Sequence, residues 1–404
     1  MPVNILAQAF AEGLSSIPFG WTVVKVVPVL ALLYLLKWYF NGAVNGSERN
    51  MHSKVIMVTG GTAGIGAEVV KALASRGAQI ILLVQQPLTD PFFVDYIEDL
   101  RTECGNELIT AEHVDLTSLH SIRLFATKWV DNAPPRRLDM IVLCANTMTP
   151  PGGKATITED GLESTWGLNY IANFHLLSIL SPALRAQPPD RDVRIIFGTC
   201  SAYMGGRLPK FDTKSKKGGK VESDQTEPAP TSVYATSKLA LMTFAVAFQK
   251  HLSTYARPDK KPMNARVIMV DPGWTRTPGM RRFLTFGSLW GLALYLFMWP
   301  FWWLVLKSGD QGAQTFLYAV MEAQWGRGDG NYLLKECRRI NWARKEIEDE
   351  TLQQKLWESS SKTIELLEKE SAKRRALEKK DKEKAEAKSP AKEAKGGAKQ
   401  RKAT

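Results

Sequence analysis

Apolar residues fall along this chain in runs of two lengths. Short runs at residues 55–58, 79–84, 138–142, 195–197, 266–270 and 332–334 are rich in Val, Ile and Leu and read as strands. A further strand ends at Val114-Asp115-Leu116 and is followed by a helical stretch. A helix-like pattern also opens after the first run, from about Glu68. Strand and helix patterns thus follow one another in the α/β manner. Two runs are far longer: residues 21–40 (WTVVKVVPVLALLYLLKWYF) and residues 283–306 (FLTFGSLWGLALYLFMWPFWWLVL). From about Arg344 the pattern becomes helical and charged, and from Ser371 low in complexity.

Two short stretches carry chemistry. Thr59-Gly60-Gly61-Thr62-Ala63-Gly64-Ile65-Gly66 follows the first strand and leads into the first helix pattern. Glycines at a strand-to-helix turn allow close backbone approach, and the free amides of a helix N-terminus face a pyrophosphate. This is a dinucleotide phosphate site. Tyr234-Ala235-Thr236-Ser237-Lys238 places a phenol and an ammonium on one helix face, four residues apart. A cation at that spacing stabilises a phenolate, drawing a tyrosine down from about 10 towards working pH. Such a tyrosine is a general acid/base for hydride chemistry on an alcohol or ketone.

Together, in this order, the two motifs resemble the short-chain dehydrogenase/reductase family, over roughly residues 50–345. The resemblance implies an α/β fold with a doubly wound parallel sheet (Rossmann) in a single domain. It implies that Gly60, Thr62, Gly64, Ile65 and Gly66 cradle the cofactor and that Asp115 meets its adenine. It makes Tyr234 the acid/base. Lys238 would lower the Tyr234 pKa and hold the nicotinamide ribose, and Asn169 would support the structure and the proton relay. Asp271-Pro272-Gly273-Trp274-Thr275 resembles the family turn in which Pro272, Gly273 and Thr275 cradle the nicotinamide amide. Residues 330–334 resemble the last strand of the sheet, and Leu356-Trp357-Glu358 the closing helix of retinol-dehydrogenase-like members.

The chain departs from the family twice. Where Asn-Asn-Ala-Gly is usual, it reads Leu143-Cys144-Ala145-Asn146, so Asn146 stands where a glycine lets backbone approach the cofactor's ribose. Asparagine is the least costly substitute if that position needs positive φ. At the catalytic serine, gapless alignment of Ile195-Ile196-Phe197-Gly198-Thr199-Cys200 puts Cys200 in the serine's place. A one-residue bulge would restore Ser201 instead. Ser201 is the expected substrate-orienting group, because a hydroxyl holds an oxygen and a thiol is a poor donor.

Residues 21–40 are long enough to span about 30 Å of hydrocarbon, although Lys25 and Pro28 interrupt them. A cleaved signal peptide is disfavoured, for want of a basic leader and a small-residue cleavage site. Glu12 is the sole charge before this run, while Lys37, Arg49 and Lys54 sit in its second half and beyond. The positive-inside rule then puts the catalytic domain in the cytosol. Residues 283–306 cannot cross once, because the final strand must rejoin strands that precede residue 270. Gly287, Gly291 and Pro300 let the segment bend back. It reads as a monotopic or re-entrant insertion at the substrate lid; the plainer alternative is an apolar lid closing on the core or on a dimer partner.

The expected organisation is an N-terminal segment with an anchor (residues 1–48), the dehydrogenase domain (49–345) and a charged tail (346–404). Net charge is +12, but residues 366–404 hold 14 Lys/Arg against 7 Asp/Glu, so the basicity belongs largely to the tail. That tail reads as disordered or as a marginal helix, suited to a membrane surface and not to nucleic acid. Its end, Arg401-Lys402-Ala403-Thr404, loosely resembles a dibasic retrieval signal. Residues 207–230, with Lys214, Lys216, Lys217 and Lys220, read as a solvated loop whose lysines could instead touch anionic headgroups. Four cysteines without paired spacing indicate a reduced compartment, and five histidines without ligand spacing indicate no metal. At the second strand's end, Val84-Gln85-Gln86 offers neither the carboxylate that selects NAD nor an arginine that would select NADP, which leaves a lean to NADP over NAD. The expected activity is NAD(P)-dependent interconversion of a lipophilic alcohol and carbonyl (retinoid, sterol or fatty-chain). The expected place is the endoplasmic reticulum membrane or a lipid droplet, with the mitochondrial outer membrane as an alternative. A homodimer is compatible with this reading. The rival is a catalytically silent, membrane-bound scaffold with a bound nucleotide.

Overall fold

A computed structural model describes residues 20–209 and 230–400. The lysines of the 207–230 loop, Glu12 and residues 401–404 lie outside the described residues. The first long apolar run forms helix α1 (Gly20–Asn41). The short runs form β1 (Val55–Thr59), β2 (Gln79–Val84), β3 (Ile109–His113), β4 (Met140–Leu143), β5 (Val193–Gly198), β6 (Ala265–Asp271) and β7 (Tyr332–Lys335), followed by β8 (Arg338–Ile340). Their order in the sheet is β3-β2-β1-β4-β5-β6-β7-β8. All neighbours pair in parallel except β7 with β8. The expected last strand is therefore followed by one more, a short antiparallel edge of exposed Arg338, Arg339 and Ile340. Its polar residues gave no apolar run to read.

Helices between the strands are α2 (Gly64–Ala74), α3 (Pro91–Cys104), α4 (Leu119–Val130), α5 (Ala172–Arg185) and α6 (Pro230–Ser253). The β1 residues are all buried because a parallel sheet is covered on both faces. Met57 packs on the side of α4, α5 and α6, while Ile56 and Val58 face α2 and α3. Strand order reverses between β1 and β4, and this switch point opens a crevice at the strands' carboxyl ends.

At the opposite end of the sheet, Asp139 is fully buried and anchors the start of β4. Burial alone would raise its carboxyl. The Arg137 guanidinium at 2.6 and 3.0 Å, the Val55 amide at 2.9 Å and Lys54 outweigh burial and hold it below the ordinary carboxylate value. The unfolded chain therefore takes up this proton first as pH falls. The stability is present above about pH 3.9 and lost as pH drops through the lower folded value. Asp139→Asn should cost about 3 kcal/mol near neutral pH. The unfolding midpoints of mutant and parent should converge below about pH 3.9.

After β6 the second long run breaks into α7 (Pro278–Leu284), α8 (Leu289–Phe297) and α9 (Trp299–Val305), before α10 (Gly309–Met321) returns to the sheet. Phe286 and Gly287 turn the chain at positive φ, and Pro300 opens α9. None of these three helices is long enough to cross a bilayer. Their apolar side chains point outwards: Leu289, Trp290 and Phe297 are 84, 88 and 81% exposed. α1 lies against α9. Lys37 Nζ caps it by donating to Trp303 O at 2.7 Å and Leu306 O at 3.2 Å. α1 and the insertion therefore share one apolar surface. α6 is also apolar and long enough to span, but it is mostly buried and is a core helix.

The tail forms α11 (Glu350–Gln400), whose first turns pack over α4, α5 and α6. Trp357 lies among Phe174, Phe244 and His251, and Ser360 meets Tyr170 OH at 2.7 Å. Arg123 grips Glu368 with two hydrogen bonds.

Candidate active site

The crevice begins with the turn between β1 and α2. Gly60 has φ +66°, and a Cβ there would lie 2.7 Å from the Ala145 backbone. A Cβ on Gly66 would lie 2.1 Å from Gly60 O. α2 starts at Gly64, one turn earlier than the apolar pattern predicts, and its N-cap Ala63 supplies no side-chain cap. Its first amides are thus left facing the crevice, the arrangement that a pyrophosphate fits. The residues present suit a dinucleotide. Asp115 holds its own turn through Thr117 N and Oγ1 at 2.8 and 2.7 Å.

After β4 the chain is pinned from two sides. Thr59 accepts from Cys144 N through its carbonyl and from Ala145 N through its hydroxyl. Asn169 accepts from Thr147 N and donates to Thr147 O, both at 2.8 Å. Asn169 sits in a wide π-helical turn (Gly167–Ile171) and is fully buried. Its amide also reaches Ser237 Oγ at 3.3 Å, which couples the loop to α6 one turn below Tyr234. Asn146 does not adopt positive φ, so the replacement of glycine needs no left-handed backbone here.

Tyr234 OH receives the Asn146 Nδ2 donor at 3.1 Å and lies 3.4 Å from Cys200 Sγ. Lys238 Nζ is buried, donates to Gly198 O at 3.0 Å and stands 5.7 Å from the Tyr234 ring. Burial raises the Tyr234 phenol well above its ordinary value, and Cys200 adds to this while the Asn146 amide opposes it. The same burial lowers Lys238. The expected lowering of the phenol by Lys238 is not seen; burial first, then Cys200, sets the upward direction. Tyr234 is therefore held protonated.

The Ser201 expectation is corrected. No bulge forms: Cys200 is extended (φ −161°, ψ 160°) and Ser201 begins a short 3-10 turn. This turns Ser201 Oγ away, to donate to Asp271 Oδ2 at 2.5 Å and accept from Lys335 Nζ at 2.8 Å. Cys200 is the side chain facing the phenol. Neither the Ser201–Asp271–Lys335 network nor the Asn146 contact was anticipated from the sequence. Asp271 and Lys335 are direct partners in the β6–β7 register, a pairing that the two strands' runs could have suggested.

The turn after β6 closes the other side. Asp271 accepts from Gly273 N at 3.0 Å, and Gly273 has φ +78°. Thr275 is buried, with its hydroxyl towards Gly273 O. Lys307 donates to Pro272 O at 3.4 Å and pairs with Glu336, which also accepts from Ala43 N just after α1. Thr277 lies over Gly64, and Gly287 over Pro150, so the insertion starts at the rim of the crevice.

Comparison with known proteins agrees with this geometry. Residues 54–203 match the short chain dehydrogenase family model. An uncharacterized oxidoreductase of Schizosaccharomyces pombe is 40% identical over 376 residues, covering 93% of this chain and 98% of that protein. Human retinol dehydrogenase 13 is 29% identical over 82% of this chain and 90% of its own length. A solved Mycobacterium paratuberculosis protein shares the fold with TM-score 0.55 and 21% identity, covering 80% of this chain and 98% of that one. With a glycine cradle at the sheet's switch point and a phenol and an ammonium side by side above it, the chain belongs to the short-chain dehydrogenase/reductase family, as an NAD(P)-dependent oxidoreductase of the retinol-dehydrogenase-like kind.

Proposed function

We propose that the protein reduces and oxidises a lipophilic carbonyl/alcohol pair, retinoid, sterol or fatty-chain, that reaches the site from a membrane. One observation carries this reading. The apolar insertion begins at the crevice rim, exposes Leu289, Trp290 and Phe297, and lies against the anchor helix α1. Such a surface suits lipid and not water. Each CH₂ of a substrate kept out of water is worth about 0.8 kcal/mol, so a mouth opening on the lipid phase removes a large barrier to extraction.

The Gly60–Gly66 turn would hold a nicotinamide dinucleotide, which when bound would supply or accept the hydride at the carbon of this pair. The chain's own residues handle the oxygen. In the reducing direction the Tyr234 hydroxyl gives its proton to the carbonyl oxygen as the alcohol forms, and in the oxidising direction it takes the proton back. Lys238, fixed by Gly198 O, places positive charge beside the ring. Asn169 holds the loop after β4 against α6. NADP is the proposed cofactor, since Gln85 and Gln86 at the end of β2 present no carboxylate to a 2′-phosphate. The proposed setting is a cytosol-facing domain at the endoplasmic reticulum membrane or a lipid droplet.

Full-length protein in vesicles, given NADPH and a panel of retinoid, sterol and long-chain carbonyls, should consume cofactor with at least one of them. No consumption with any would favour the nucleotide-bound scaffold, a reading that draws on Cys200 at the serine's place and is opposed by the assembled Tyr234 and Lys238.

A further inference from the structure

We propose that Asn146 is a catalytic residue: its side-chain amide donates to the substrate oxygen the hydrogen bond that a serine hydroxyl would otherwise give. The two departures of this chain, Asn at 146 and Cys at 200, are then one compensated exchange. The inference rests on the oxidoreductase reading of this site and names the group that holds the substrate within it.

An oxygen within reach of the Tyr234 hydroxyl must sit among the groups that surround that hydroxyl. Among the described residues its hydrogen-bond partners are Asn146 Nδ2 at 3.1 Å and Cys200 Sγ at 3.4 Å. A thiol is a weak donor. Ser201, the hydroxyl that follows Cys200, is committed to Asp271 and Lys335. A primary amide carries two N–H donors, so Asn146 can hold the phenol oxygen with one and a substrate oxygen with the other. Asn146 is exposed at the crevice, which leaves that second donor accessible. The amide is also held in place, because the next residue, Thr147, is clamped by Asn169 through both backbone groups. Donors fixed in advance around a reacting oxygen are worth far more than mobile ones. A glycine at this position, the family's usual residue, has no such donor to offer.

The test uses the full chain in vesicles and five proteins: parent, Asn146→Gly, Asn146→Asp, Cys200→Ser and the double variant Asn146→Gly/Cys200→Ser. Asn146→Gly should lower kcat roughly 100-fold, with dinucleotide affinity within about threefold. Isosteric Asn146→Asp, which has the shape but no donor, should lose as much. Adding Cys200→Ser to Asn146→Gly should return kcat to within about tenfold of the parent, because the hydroxyl replaces the missing donor. Cys200→Ser alone is the reference for the double variant, so that the effect of Asn146→Gly is read with and without a hydroxyl at position 200. Retained kcat in Asn146→Gly would overturn the proposal. So would a loss that Cys200→Ser does not rescue, or one that tracks cofactor affinity. A second readout needs no turnover: ultraviolet titration of Tyr234 should shift to higher pH in Asn146→Gly, and an unshifted titration would also overturn the proposal. If the parent turns over no substrate, the oxidoreductase reading fails by itself, and the titration still decides whether the amide serves this oxygen.

Discussion

Replacing Tyr234 with phenylalanine should lower kcat by at least about 1000-fold, roughly 4 kcal/mol of barrier, while dinucleotide affinity stays within about threefold. The substitution removes one oxygen, the atom that Asn146 and Cys200 surround, and leaves Lys238 on Gly198 O and the Gly60–Gly66 cradle untouched. The phenol is also held protonated well above its ordinary value by burial. A raised tyrosine keeps its proton until pH climbs past its ordinary value of about 10, so the reducing direction should lose no proton donor between about pH 6 and 9. Single-turnover rates with pre-bound reduced cofactor would check both statements. A variant retaining activity within about tenfold would remove Tyr234 from the chemistry.

Substituting Leu289, Trp290 and Phe297 together by Ser or Gln should cut turnover of a membrane-borne substrate at least about tenfold and leave a short soluble ketone within about twofold. These side chains are more than four-fifths exposed, so removing them should hardly change the fold. The anchor α1 remains, so attachment is not what is being tested. Trp302 would be a poorer choice, because its ring stacks on Tyr295 and its loss would disturb the packing of the insertion. Equal loss on both substrates would mean that the segment is ordinary structure. Equal retention would mean that it plays no part in substrate entry.

The sheet was legible in the sequence because parallel strands buried on both faces are written as continuous apolar runs, as in Val55–Thr59 and Met140–Leu143. The edge strand Arg338–Ile340 was not, since its three residues are exposed and two are arginines. The start of α2 was misplaced because its first turn is glycine-rich, and a helix pattern counted from apolar positions begins only after it. Of the candidate site, the four-residue spacing puts Tyr234 and Lys238 on one helix, which α6 is, whereas Asn169 came from the family resemblance alone and lies against α6 through Ser237. The choice between Cys200 and Ser201 was out of reach. It depends on an extended backbone at Cys200 and on a carboxylate, Asp271, that lies 70 residues away and captures the serine. The approach of Asn146 to Tyr234 is likewise a tertiary contact across 88 residues, with no local signature. The tail's composition suggested disorder or a marginal helix; Trp357, Ser360 and Glu368 are what bind its first turns to the domain.

The central claim is hydride transfer between a nicotinamide and a lipophilic carbonyl at a membrane. Its most direct measurement is the panel assay run with reduced cofactor deuterated at the transferable ring position, with the product alcohol read by mass spectrometry. The account predicts one deuterium on the carbinol carbon for at least one retinoid, sterol or long-chain carbonyl presented in vesicles, and none with Tyr234→Phe in the same time. Cofactor that binds but passes no deuterium to any member of the panel would contradict it.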